Sequence, residues 1–147
     1  MQYWIIVASK DHVQRGLEGG FIQANHGKAS SLKRMQAGDW VIFYSPKVEY
    51  EKPEKLQAFT AIGNVADEDI YQQDMGGGFV PFRRRLNFLP ARDVSILPLI
   101  NELTFIQEKA HWGAPFRFGM LKIPEQDFRL IAEKMVKDPG LLETENA

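Results

Sequence analysis

Four short runs of β-branched and aromatic residues are the feature of this sequence that most constrains its fold. They read QYWIIVAS at 2–9, WVIFYS at 40–45, LQAFTAIGNVA at 56–66 and FRRRLNFL at 82–89. Each run has the length and composition of a β-strand, and turn-forming or polar residues separate the runs. The sequence therefore predicts a sheet of several strands, without the regular alternation of strand and helix that a doubly wound sheet requires.

Helical segments are predicted between and after these strands. The first spans Lys10–Glu18, and Ser9 is expected to cap it with its hydroxyl. A short helix is expected over Ser30–Met35, and the clearest helix begins near Pro124 and stops at Pro139-Gly140. The apolar stripe of this last helix is Phe128, Ile131, Ala132, Met135 and Val136.

The strands are expected to be bent. Gly63 lies inside the third run, where it predicts a bulge or bend of the kind that barrels use to curl. Pro46 is expected to close the second run, the segment 67–81 reads as a loop, and a further strand is expected near Val94–Ile96. The fold class predicted is α+β: a bent mixed β-barrel flanked by short helices, with a C-terminal helix.

Composition excludes several kinds of protein. With 147 residues and a net charge of −1, the chain fits one domain, at 1–140, and lacks the basic surface of a general nucleic-acid coat. Residues 141–147 are expected to form a flexible tail. There is no cysteine, and the histidines His12, His26 and His111 lack metal-ligand spacing, so no metal and no cofactor are expected. No leader and no apolar run of about 20 residues is visible, and we expect a cytoplasmic monomer without membrane contact.

The segment GGFIQANHGK at 19–28 places an aromatic ring beside polar groups. Phe21 offers a stacking face, and the amide of Gln23 offers both a donor and an acceptor to a base edge. The same residues also fit a capped helix, with Phe21 in the core and Gln23 in a turn. From the residues alone both interpretations stay open.

Two further segments combine arginine with aromatic residues. In Arg83-Arg84-Arg85, strand alternation puts Arg84 on the face of the neighbouring apolar side chains, where a guanidinium must find a partner, a cavity or a route to water. The loop 112–118 contains Trp112 and two phenylalanines, Phe116 and Phe118, with Arg117 between the phenylalanines. A binding groove would explain both segments. An edge strand whose arginine extends to water explains the first equally well, and core packing explains the second equally well.

In order, these segments make the chain resemble the EVE domain, a member of the PUA-like group that also contains YTH and ASCH domains. The matching pieces are YWIIVAS, GGFIQANHGKASSLKRMQAGDWVIFYSP, PFRRRLNF, PLINELTFI, HWGAPFRFG and IPEQDFRLI. The resemblance implies a small, bent PUA-like barrel and a role as a reader of modified bases. YTH domains hold N6-methyladenine, whereas EVE domains are linked to modified cytosines in DNA. The implied partner is therefore DNA or RNA that carries a modified base.

The resemblance also assigns residues to a site. An aromatic after the first helix is a cage wall in YTH domains and lands on Phe21, where tryptophan is usual. The base-binding pocket expected on this basis comprises Ser9, Lys10, Phe21, Gln23, Tyr44, Ser45 and Trp112. The residues expected to contact phosphates or other polar groups are His26, Lys28, Lys33, Arg34, Arg83 and Arg85.

Two other functions compete with a reader. ASCH relatives include small amide hydrolases, for which Lys28 would serve as a base beside Ser45 and a carboxylate from Glu68 or Asp69. The third class is a protein-binding adaptor. Turnover of acetylated or methylated nucleosides separates the three, because a reader binds without converting and an adaptor does neither.

Overall fold

The computed structural model describes residues 1–23 and 29–143, and a mixed sheet of seven strands dominates it. The strands are β1 (Tyr3–Val7), β2 (Phe21–Gln23), β3 (Trp40–Lys47), β4 (Lys55–Gln72), β5 (Phe82–Phe88), β6 (Val94–Ser95) and β7 (Met120–Ile123). Their order is β2-β5-β4-β3-β1-β7, and β6 pairs with β4. The strands β1 and β3 run parallel, whereas the other pairs are antiparallel.

Two α-helices flank the sheet, α1 (Lys10–Gly19) and the C-terminal α2 (Glu125–Met135). Short 3₁₀ turns lie at Leu32–Arg34, Leu97–Leu99, Lys109–His111, Ala114–Phe118 and Pro139–Leu142. Gly20 ends α1 in the left-handed region, with φ of 73°. Within the ranges that the structure describes, no helix is long and apolar enough to cross a membrane.

Each face of the sheet buries its own hydrophobic cluster. Along β3, Trp40 and Ile42 join the cluster that α2 covers, whereas Val41 and Phe43 point to the opposite face. This alternation is the two-residue period of a strand that is buried on both sides. The stripe of α2 that was predicted from the sequence is buried in the first cluster.

The sheet curls around the second cluster. Ile22 of β2 and Met120 of β7 belong to opposite edges of the strand order, yet both belong to this cluster and line one pocket. In a flat sheet, five strand spacings of about 4.8 Å would separate these edges by roughly 24 Å. The predicted mixed α+β fold with a strongly bent sheet is therefore confirmed.

Two predicted strand ends are wrong. The strand β3 continues through Pro46 to Lys47, across an irregularity in its pairing with β4. The strand β4 extends to Gln72, through the acidic residues that read as a loop, and pairs there with β5. Arginines of β5 compensate these acids, with Arg84 facing Glu68 at 3.4 Å and Arg85 facing Asp67 at 3.5 Å. Opposite charges across neighbouring strands stabilise a sheet, which single-strand composition does not reveal.

Gly63 lies at a close contact between β4 and β5 and not at the bulge or bend that was predicted. It pairs in register with Val41 and Phe88. The irregularities of β4 lie elsewhere: between 65 and 70, opposite Phe43 and Tyr44, and opposite the segment from Ser45 to Lys47. A Cβ at Gly63 would lie 2.6 Å from the carbonyl oxygen of Asn87. Glycine is needed here because β5 approaches closely, and the predicted bulge at this position is wrong.

The packed chain extends past residue 140, where we expected the domain to end. Leu142 is buried in the first cluster, and Glu143 accepts a hydrogen bond from Arg129 at 2.8 Å. Residues 144–147 lie outside the described ranges.

Candidate functional site

A pocket opens where the two edges of the curled sheet approach each other. We call it the edge pocket, and its volume is about 180 Å³. Its lining consists of Ile6, Ile22, Gln23, Ser30, Ser31, Leu32, Met35, Phe118, Gly119 and Met120. Five of these ten residues have aliphatic or methionine side chains, three are polar, Phe118 is aromatic and Gly119 has no side chain. Such a cavity accepts a small, largely apolar group with a polar edge.

Arg84 holds one wall of the edge pocket against the sheet. Its guanidinium is buried and donates hydrogen bonds to the carbonyl oxygens of Leu32, at 2.8 Å, and Met35, both of which line the pocket. It also donates to the carbonyl oxygen of Asp67 at 2.9 Å. We expected this arginine to need a partner. Most of its hydrogen bonds are to backbone carbonyl oxygens, and one is to the carboxylate of Glu68. The predicted helix over Ser30–Met35 is shorter, a 3₁₀ turn, and this arginine anchors it.

A second, smaller pocket of about 60 Å³ adjoins the edge pocket and shares Ile6, Ile22 and Gln23 with it. Phe21 and Phe43 belong to its lining. We call it the small pocket. Together the two pockets place Phe21 and Gln23, both predicted from the sequence, beside one composite cavity.

Arg83 ties these two residues together. Its guanidinium lies over the Phe21 ring, with Cζ 3.7 Å from the ring centroid, and its Nε donates a hydrogen bond to the Gln23 side-chain oxygen at 3.0 Å. Ile22 between them points to the second cluster, so alternation turns Phe21 and Gln23 to the face that Arg83 occupies. One face of the predicted stacking ring therefore carries a planar cation in this structure.

The other predicted phosphate contacts are distributed around this cavity. Lys33 and Arg34 are exposed on the turn beside the edge pocket, and Arg34 also lies over the Trp4 ring, 5.0 Å from its centroid. Arg85 is exposed but pairs with Asp67. The predicted contacts His26 and Lys28 lie outside the described residues.

Ser9 and Lys10 have partners of their own. Ser9 stands at the N-cap position of α1, but its hydroxyl donates to the Asp11 carboxylate and caps no backbone N–H, so that prediction is wrong. The pKa of Asp11 is below its ordinary value. Burial alone would raise this pKa, but the hydrogen bonds from Ser9 and from the backbone of His12 lower it by more. Lys10 pairs with Asp93. Neither Ser9 nor Lys10 is among the residues that line the edge pocket or the small pocket.

Tyr44 and Ser45 are buried in the protein interior. The Tyr44 ring stacks on Phe116 at 4.3 Å between centroids, in the cluster on the α2 side, and burial raises its pKa to about 12. Ser45 is fully buried, and its hydroxyl shares a hydrogen bond with Thr60 at 2.7 Å. Neither residue lines the two pockets.

The loop that contains Trp112 does reach the edge pocket, but through another residue. Trp112 is half-buried against the cluster on the α2 side, whereas Phe118 lines the edge pocket with a side chain that is 84% exposed. Sequence reasoning missed Phe118. The spacing within the loop could have indicated this residue. In a turn with three residues per repeat, Phe116 and Phe118 lie on different faces, so when Phe116 is buried Phe118 points away from the core.

The hydrolase constellation is not assembled in the described residues. Ser45 contacts Thr60, and Glu68 lies eight residues further along β4, which in an extended strand is roughly 26 Å. Glu68 instead accepts hydrogen bonds from the Ala37 N–H and from Arg84.

Comparison with known proteins shows what this chain is similar to. A UPF0310 protein of Mycolicibacterium vanbaalenii is 49% identical over 136 residues, which cover 92% of this chain and 94% of that protein. A UPF0310 protein of Bacillus licheniformis is 50% identical over 129 residues, covering 88% of each. Among solved structures, the YTH domain of Zygosaccharomyces rouxii MRB1 protein, crystallised in complex with N6-methyladenosine RNA, has a TM-score of 0.62. It is 13% identical, and the match covers 93% of this chain and 89% of that one, so the likeness is one of fold.

The same fold therefore occurs in a domain that has been crystallised with a modified nucleoside in RNA. The model of the EVE domain matches residues 2–134, nearly the whole described chain. The chain belongs to the EVE domain family.

Proposed function

We propose that this protein binds nucleic acid and reads a single modified base, a modified cytosine in DNA, in the composite cavity formed by the edge pocket and the small pocket. The observation that supports this most is the edge pocket itself, where Gln23, Ser30 and Ser31 stand beside an apolar wall. An apolar wall accepts the face and the added methyl group of a base, whereas the amide and hydroxyls satisfy its polar edge.

The size and position of the cavity support a flipped or single-stranded base. A volume of about 180 Å³ suits one base and excludes a duplex segment. Enzymes and readers that need one base take it out of the stack at a cost of a few kcal/mol, and aromatic stacking returns about 1–3 kcal/mol per base. Phe118 at the rim and Phe21 in the small pocket are the rings available for that stacking.

Two lines of similarity support nucleic acid as the partner. The fold is shared with a YTH domain that was crystallised with N6-methyladenosine RNA. The family resemblance links EVE domains to modified cytosines in DNA, which favours cytosine over adenine here. A base is read through a local cavity, so the net charge of −1 does not oppose this function.

Cations beside the cavity are proposed to hold the flanking phosphates. Lys33 and Arg34 are exposed on the turn that forms one wall, and Arg83 bonds to Gln23 at the other. Phosphate contacts position any nucleic acid and carry no sequence information. We therefore expect Lys33→Ala and Arg34→Ala to weaken modified and unmodified oligonucleotides alike, and to lower the salt slope by about one unit or less each.

The experiment is a titration of matched oligonucleotides that differ in one base. Single-stranded DNA with 5-methylcytosine, 5-hydroxymethylcytosine, N6-methyladenine or the unmodified base is compared with its RNA counterparts at two salt concentrations. Phe21→Ala and Gln23→Ala should cost the modified ligand about 1–3 kcal/mol and leave background binding nearly intact. If Phe21→Ala and Lys33→Ala lower both affinities by the same factor, Phe21 does not read a base. If no modified base is preferred by the wild type, the proposed function is wrong.

A turnover control accompanies this titration. Acetylated and methylated nucleosides are incubated with the protein and the products are separated by chromatography. A reader leaves every nucleoside unchanged, whereas conversion of any of them would favour the hydrolase over the reader.

A further inference from the structure

A third cavity of about 590 Å³ shares Phe118 with the edge pocket, and we call it the aromatic groove. Its apolar wall includes Phe105, Ile106 and Pro115, and Arg117, Glu108 and the imidazole of His111 belong to its polar lining. Apart from Phe118, the proposed function uses no residue of this groove. Because the exposed Phe118 ring lines both cavities, a strand whose base entered the edge pocket could continue over this ring into the groove.

The walls of the groove are held by the rest of the fold. The buried Asp127 carboxylate on α2 accepts hydrogen bonds from the backbone N–H groups of Thr104, at 3.0 Å, and Phe105, at 2.9 Å. The Lys109 ammonium donates to two backbone carbonyl oxygens of the same loop, those of Ile100 and Leu103. The wall formed by residues 100–109 is therefore held in place by the fold, which lowers the cost of ordering it when a ligand binds.

Charge and aromatic area in the groove suit a nucleotide. Arg117 is exposed and has no ion-pair partner among the residues that the structure describes. Phe118 is 84% exposed, and such a ring offers a face to any base regardless of its identity. Phe105 adds a second ring, packed edge-on against the buried Phe116 with centroids 5.9 Å apart.

We infer that the aromatic groove is the binding site of the nucleotide next to the base in the edge pocket, with its base stacked on Phe118 and its phosphate near Arg117. The inference rests on the proposed function and extends it: the protein would grip two successive nucleotides of one strand, the first for its identity and the second for its stacking face. A free modified nucleoside then binds more weakly than the same nucleoside within a strand.

The test is a double-mutant cycle between protein and oligonucleotide. The probe is a short single-stranded DNA with one 5-methylcytosine, and its variants carry an abasic site on the 5′ side or on the 3′ side of that base. Wild type and Phe118→Ala are titrated with all three. One of the two abasic variants should bind the wild type at least about fivefold more weakly. In Phe118→Ala the same abasic site should change the affinity less than about twofold.

The cycle distinguishes the groove from the pocket, although Phe118 lines both. If this ring serves the edge pocket alone, the abasic penalty is the same in both proteins, and the inference is overturned. It is overturned as well if neither abasic site weakens wild-type binding, in which case the groove serves another ligand such as a protein segment. If 5-methylcytosine is not preferred over cytosine and no other modified base is either, the proposed function fails first, and the groove inference falls with it.

A matched control is available for the exposed ring. Leu97 is 55% exposed and lies outside the lining of all three cavities. Leu97→Ala should leave every affinity of the cycle within twofold of the wild type. Arg117→Gln should weaken modified and unmodified strands equally and should lower the salt slope, as loss of one phosphate contact does.

Discussion

Replacing Arg84 by methionine should destabilise the protein by roughly 3–5 kcal/mol, because three backbone carbonyls lose their donor and each buried group left without a partner costs about 1–3 kcal/mol. The guanidinium donates to the backbone carbonyls of Leu32, Met35 and Asp67, and hydrogen bonds to a charged group contribute roughly 1.5–3 kcal/mol each. Relief of the buried charge offsets several kcal/mol of this sum. The remainder is large because the carbonyls lose their donor and methionine offers none.

The assay is urea unfolding of wild type, Arg84→Met and Arg85→Met, monitored by tryptophan fluorescence. Arg85 is the neighbouring residue of the same strand, 52% exposed, and its contact with Asp67 is 3.5 Å long. The same substitution there should cost at most about 1 kcal/mol. Arg84→Lys keeps the charge but cannot reach all three carbonyls, so it should fall between wild type and Arg84→Met and remains measurable if Arg84→Met does not fold.

Hydrogen exchange then shows whether Arg84 holds the pocket wall. The backbone N–H of Lys33 donates to Ala29 and that of Met35 to Leu32. These amides should exchange faster in Arg84→Lys than in wild type, beyond the change in global stability, because their segment loses its anchor to β5. Equal free energies of unfolding for Arg84→Met and Arg85→Met, within about 0.5 kcal/mol, would refute the reasoning.

Three further outcomes are expected. Burial raises the pKa of Tyr44 from 10.0 to about 12, so its contribution to stability is complete below pH 10 and is lost as the pH rises from there towards 12. Between these pH values the free energy of unfolding of the wild type, measured with urea, should fall by about 1.4 kcal/mol per pH unit from this group, and Tyr44→Phe should remove that slope. An unchanged slope would contradict this. The buried Asp39 carboxylate accepts hydrogen bonds from Trp4 Nε1 and from the backbone N–H groups of Gln2 and Gln36. Asp39→Asn should therefore lower the free energy of unfolding by about 1–3 kcal/mol in the same assay. A loss below about 0.5 kcal/mol would show that these donors bond to water instead. Treatment with a chelator should leave both the unfolding midpoint and oligonucleotide binding unchanged, and stoichiometric zinc in purified protein, with unfolding on its removal, would refute a metal-free site.

The sequence predicted the strands well where burial is local. The run WVIFYS contributes alternate side chains to two clusters, so every residue is apolar or small, and the pattern can be read without knowing the neighbours. Arg84 was identified by the same logic, since alternation placed it among apolar side chains. Its partners could not be predicted, because they are backbone carbonyls of segments 17 or more residues away.

The outer half of β4 was missed because its stability comes from another strand. Asp67 and Glu68 look like loop residues when read alone, and only the arginines of β5 make them strand residues. Similarly, Trp112 looked like the natural second aromatic, but which ring of that loop faces the pocket depends on Phe116 packing against Tyr44. Long-range packing decided both cases, and a single sequence contains no record of it.

Arg83 contacts two residues of the predicted base-binding set, although the sequence analysis placed it in the separate set of phosphate or polar contacts. It was expected to contact phosphate or another polar group, and in the structure it covers the Phe21 ring and donates a hydrogen bond to Gln23. A ligand base that stacked on this face of Phe21 would have to displace the guanidinium, and we expect the displaced cation to contact the phosphate of that same nucleotide. When the wild type binds a modified strand, Arg83 would lose its contact with Phe21 and gain one with phosphate, and we expect these two changes to offset each other in the binding free energy. An unmodified strand binds without displacing Arg83 from Phe21. For that strand the effect of Arg83→Ala is therefore only the loss of one cation near the phosphates. Arg83→Ala should therefore weaken unmodified strands at least as much as modified ones, unlike Phe21→Ala, which acts on the modified strand.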